Sequence, residues 1–63
     1  MSYSVWFVPT DEGARAFKWT RKKISGGFDD EEEACYVAYL EDCDDPAPDK
    51  HNYRKIIVEQ DKE

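Results

Sequence analysis

The chain holds one histidine, His51, and two cysteines, Cys35 and Cys43. These are the side chains that most readily serve as bases, nucleophiles or metal ligands near neutral pH. Their spacing argues against each role. Cys35, Cys43 and His51 follow one another at intervals of eight residues, whereas structural zinc sites use cysteine pairs a few residues apart. If both cysteines lie on one helix, their Cα atoms stand about 12 Å apart, beyond disulfide reach. Two reduced thiols fit a cytoplasmic protein. Asp42, Asp44 and Asp45 offer clustered oxygens, but the segment has neither the glycine nor the distal glutamate of a calcium-binding loop. General acid–base and nucleophilic catalysis need paired groups in a sheltered cleft, and His51 lies in a polar stretch. No enzyme activity, cofactor or metal is expected.

Charge is the stronger signal. Residues 14–24 contain Arg15, Lys18, Arg21, Lys22 and Lys23 and no acid; residues 28–49 contain ten acids and no lysine or arginine. The net charge of −6 disfavours membrane surfaces and non-specific DNA binding, both of which repel anions. Two anionic groups stand out: Asp29, Asp30 and Glu31, then Glu41, Asp42, Asp44 and Asp45. On one helix they lie roughly 20 Å apart, a spacing suited to a basic surface on a protein partner, with carboxylates standing where phosphates would lie. A second reading assigns nucleic-acid binding to the aromatic and basic residues Phe17, Lys18, Trp19, Arg21, Lys22 and Lys23, which could stack bases and hold phosphates from a sheet surface. A third is self-association through an open sheet face or an edge strand.

The elements that must position these residues can be read from pattern. Residues 3–8 are aromatic and β-branched on both faces, which predicts a central strand, ended by Pro9. Thr10-Asp11-Glu12-Gly13 reads as a turn, and residues 14–24 as the return strand of a hairpin, with Phe17 and Trp19 on one face. Ser25-Gly26-Gly27 reads as a break. Asp29, with Glu32 three residues on, marks a helix start, and the helix is expected over residues 30–43 with Ala34, Val37, Ala38, Leu40 and Tyr36 toward the sheet. Acids in its first turn suit the helix dipole; those at 41–45 oppose it and call for another reason. Pro46 and Pro48 stiffen a connector to a third strand over residues 53–59, and residues 60–63 read as a frayed tail.

Gly27-Phe28, followed by Glu32-Glu33-Ala34 and Ala38-Tyr39, resembles the helix entry of AP2-type DNA-binding domains, which present a small sheet to the major groove. Those domains place their strands before the helix, unlike the order read here, and no site residue is carried across.

Sixty-three residues make a single domain. No run approaches the ~20 apolar residues of a membrane-spanning helix, and Met1–Ser4 lacks the pattern of a secretory leader. The expected fold is a small two-layer α+β domain, ββαβ, whose three-stranded antiparallel sheet has order 2-1-3 and packs on one helix.

Overall fold

The computed structural model describes residues 1–62. Aromatic and β-branched residues make β1, Tyr3–Pro9, the central strand of a three-stranded sheet. Its neighbours are β2, Lys22–Phe28, and β3, Arg54–Gln60. Both pair with β1 in antiparallel fashion, in spatial order β2-β1-β3. The longest helix, α2, Glu31–Cys43, covers one face. The fold class and sheet order are therefore those expected.

The core is small because α2 meets the sheet through small residues. Ala34 and Ala38 are buried against Val5, with Tyr3, Phe28, Val37, Ile56 and Val58 packed around them. Two alanines one turn apart let the helix lie close to β1 and β3. Burying Val5 alone contributes roughly 1.5–3 kcal/mol. Tyr36 and Leu40, expected to face the sheet, point outward instead and are 62% and 44% exposed. The helix starts one residue later than expected: Asp30, not Asp29, is the N-cap, and its Oδ1 accepts from Glu32 N at 3.0 Å.

The hairpin over residues 14–24 does not form. Thr10 caps a helix, α1, Asp11–Phe17, by accepting from Gly13 N at 3.1 Å. Asp11 and Glu12 occupy its first turn, where acids are favoured. Thr10 also ties this entry to the far end of the chain. Its Oγ1 donates to Asn52 O at 2.8 Å and its N–H to Tyr53 O at 3.0 Å. Gly13 is buried where any Cβ would collide with the Tyr53 carbonyl. The glycine thus marks close packing inside a helix rather than a turn. Lys18 ends α1 with φ at 58°, a left-handed cap usually given to glycine.

β2 accordingly lies later than expected and contains Ser25-Gly26-Gly27, the stretch taken for a break. Its pairing slips twice along β1, between Tyr3 and Val5 and between Val5 and Trp6. At Gly26 a side chain would press on Ser4 Oγ and Lys23. A second short helix, α3, Lys50–Tyr53, precedes β3. The expected tail is also partly ordered. Asp61 accepts from Ser2 Oγ at 2.7 Å and Ser4 Oγ at 2.6 Å, and its N–H reaches Ser2 O at 2.8 Å. Glu63, the end of that predicted tail, lies outside the described residues.

Candidate partner-binding surface

The acids at the C-terminal end of α2 divide into two groups. Asp42 faces inward to a basic cluster that the chain brings back over the Pro46–Pro48 connector. Arg54, 3% exposed, pairs through Nη1 with Asp42 Oδ1, and its Nη2 lies 3.3 Å from Asp45 Oδ2. His51 Nε2 lies 3.0 Å from Asp42 Oδ2. Lys50 Nζ donates to the Asp42 and Asp45 carbonyl oxygens at 2.6 and 3.0 Å. Hydrogen bonds from Arg54 and His51 hold the Asp42 carboxyl at about 2 against an ordinary 3.8. Asp45 is also lowered, first by the Ala47 N–H and then by Arg54.

This arrangement supplies the missing reason for acids at an unfavourable helix end. Lys50 and Arg54 place positive charge on the last carbonyls of α2, where the dipole is negative. Asp42 and Asp45 then offset the burial of Arg54. Asp42 and Asp45, expected on the partner-binding surface, thus have partners within the chain. They serve the junction between α2, α3 and β3.

The remaining acids stay on the outside. Asp29, Asp30, Glu31, Glu32, Glu33, Glu41, Asp44 and Asp49 are all exposed. Between the two groups α2 presents Tyr36 and Tyr39, 62% and 61% exposed, and Leu40. Tyr36, Leu40 and Cys43 follow helical spacing along one stripe. No lysine or arginine lies on α2. A shallow groove runs between this helix and β3, with Glu31 and Asp42 toward its ends and Ala38, Tyr39, Ile56 and Val58 between.

The basic segment is dispersed by the fold. Phe17 ends α1, Lys18 is its cap, and Lys22 and Lys23 open β2. Trp19 stacks on Phe17 at 4.5 Å between centroids and meets Phe7 edge-on at 5.4 Å. Tyr53 closes that cluster against Phe17 at 5.2 Å. Arg21 leaves the group altogether. It lies 4.5 Å over the Trp6 ring and pairs with Glu59 at 2.5 Å across the sheet face opposite α2. Phe17 and Trp19 thus turn a ring face on one another, and what they leave beside Lys22 and Lys23 is a shallow recess lined also by Phe7 and Ile24.

Cys35 and Cys43 are both free and exposed, and the Tyr39 hydroxyl is raised above its ordinary value by a hydrogen bond to Cys43. Among the described residues no group of three His, Cys, Asp or Glu side chains is placed to hold a metal ion. No described helix is long and apolar enough to cross a membrane. No family model, no curated protein and no solved structure matches the chain.

Proposed function

We propose that this chain is a non-catalytic, cytoplasmic interaction protein that binds a basic surface of a protein partner through the outer face of α2. One observation carries the reading. The fold neutralises Asp42 and Asp45 internally and yet leaves a helix with exposed acids at both ends and exposed Tyr36, Tyr39 and Leu40 between them. Aromatic anchors within a charged rim are the usual anatomy of a protein-binding patch. A purely solubilising surface has no use for the tyrosines and the leucine. The carboxylates would steer the approach of a basic partner, and the apolar stripe would supply the contact. Two exposed, unpaired thiols suit a reducing compartment. Nucleic-acid mimicry is the form this binding takes if the partner's surface is itself a nucleic-acid site.

The test is affinity capture from a native lysate, at low and at physiological salt, with the wild-type chain and two variants. One variant neutralises the outer acids (Glu33→Gln, Glu41→Gln, Asp44→Asn). The other removes the apolar stripe (Tyr36→Ala, Leu40→Ala). Capture that falls with salt and is lost in both variants supports the reading. Equal capture by wild type and both variants overturns it.

A further inference from the structure

The two edges of the sheet are unlike. β2 is blunted by consecutive charges at Lys22 and Lys23, by Gly26 and Gly27, and by two slips in its pairing with β1. These are the devices by which edge strands avoid pairing with other chains. β3 has none of the irregularity: its register with β1 is unbroken from Arg54 to Gln60, and its centre is Ile56-Ile57-Val58. Among the described residues no strand lies on its outer side.

We infer that β3 pairs with β3 of a second copy of this chain, in antiparallel fashion about Ile57, to make a continuous six-stranded sheet. The strand is self-complementary. A two-fold axis through Ile57 places all seven residues of β3 opposite one another. Lys55 meets Glu59, Ile56 meets Val58, Ile57 meets its own copy, and Arg54 meets Gln60. Lys55, Ile57 and Glu59 share the face that carries Trp6, by the pairing of Trp6 with Ile57. Each of the two Lys55–Glu59 pairs therefore lies on that face, directly cross-strand, where opposite charges attract. Ile56 and Val58 share the α2 face, so the cores of the two copies become continuous. Moving the axis to Ile56 sets Lys55 against Ile57 and loses both charge pairs; moving it to Val58 sets Glu59 against Ile57 and carries Lys55 past the end of the strand to Asp61, whose carboxylate is already held by Ser2 and Ser4. The proposal concerns a different surface from the outer face of α2 and leaves that face open in both copies.

The test is sedimentation equilibrium at micromolar concentration, with circular dichroism to verify folding of each variant. The wild-type chain should associate to twice its 7.4 kDa mass. Lys55→Glu sets acid against acid at both symmetry-related positions, and Glu59→Lys sets base against base. Each variant alone should dimerise about tenfold more weakly, because two pairs switch from attraction to repulsion. Mixed in equal amounts, the two variants should recover a heterodimer of wild-type affinity, since both cross-strand pairs are then opposite in sign. Loss of the internal Arg21–Glu59 pair cannot produce that recovery. A wild-type chain that stays monomeric overturns the inference and leaves the edge to an extended segment of another protein. Unchanged dimerisation of either variant, or no recovery on mixing, also overturns it.

Discussion

Replacing Asp42 by Asn removes the charge that offsets Arg54 while keeping the side chain's size. Arg54, 3% exposed, then faces a neutral amide oxygen beside Asp45 Oδ2 at 3.3 Å and the Asp42 carbonyl at 3.4 Å. Two routes give the magnitude. A carboxyl held at about 2 instead of 3.8 carries at most ~2.5 kcal/mol of linkage to folding. The Asp42 side chain is 26% exposed, so solvent screening brings that down to about 1–2 kcal/mol. Independently, a hydrogen bond to a charged group contributes about 1.5–3 kcal/mol. A loss of about 2 kcal/mol is thus expected at neutral pH, a large share of the ~3–9 kcal/mol available to a chain of this size. Urea denaturation followed by circular dichroism measures it; by heat, the midpoint should fall by about 8–16 °C. The pH dependence separates charge from packing. Because folding lowers the Asp42 pKa, its stabilisation is complete above the unfolded value near 3.8 and is lost as pH falls toward 2. The gap between wild type and Asp42→Asn should therefore be full at pH 5 and above and should close between about pH 4 and 2. Equal urea midpoints at neutral pH, or a gap as wide at pH 2 as at pH 7, would refute the assignment of Asp42 to the Arg54 junction.

Other variants probe how the helices are placed. Gly13→Ala should destabilise by about 2 kcal/mol in urea melts: overpacking against the Tyr53 carbonyl costs about 3 kcal/mol and outweighs a helix-propensity gain of about 1. A stabilised Gly13→Ala would show that α1 does not rest on α3 there. Lys18→Gly should do the opposite and raise stability by up to about 1 kcal/mol, because glycine adopts the left-handed cap without the Cβ penalty. Thr10→Ala removes both the cap of α1 and its link to Asn52, and should cost about 1 kcal/mol or more. Asp61→Ala should speed amide hydrogen exchange at Ser2 and Ser4, while exchange at Val5, in the core, stays as in wild type.

What could be read from the sequence depended on whether a residue's partner was near or far along the chain. β1 and α2 announce themselves locally, through a β-branched aromatic run and an Asp cap followed by acids. Their connectivity with β3 then leaves the sheet order little freedom. At α1 two local signals compete. Thr10 followed by Asp11 and Glu12, with Ala14 and Ala16 behind, is a helix entry, but Gly13 beside it favours a turn. Only the Tyr53 carbonyl, forty residues away in sequence, explains why a glycine sits inside that helix. The helix displaces β2 and spreads the basic residues over α1, β2 and the segment between them instead of one strand. Burial on α2 was ambiguous for a different reason: residues 34–40 are apolar nearly throughout, so periodicity could not say that two alanines, rather than Leu40 and Tyr36, meet the sheet.

The charge pattern has the same division. Acids at 29–33 were explicable from neighbours, as cap and dipole partners. Asp42 and Asp45 were not, because Lys50, His51 and Arg54 reach them only after the proline connector folds the chain back. A signal was present: basic residues at 50, 51, 54 and 55, directly after an acid-rich helix end and two prolines, are placed to return on that end. Once that pairing is subtracted, the segregated charges no longer form two opposed fields. Arg21 is held by Glu59 and Trp6, Asp42 and Asp45 by Arg54 and its neighbours. The fold leaves exposed an acidic helix face, the basic residues Arg15, Lys18, Lys22 and Lys23, and one edge strand with a self-complementary sequence. The first is the surface proposed to meet a partner of opposite charge. The edge strand needs only another copy to pair with, and the reversal of sign between Lys55 and Glu59 about Ile57 would set opposite charges face to face where two copies meet.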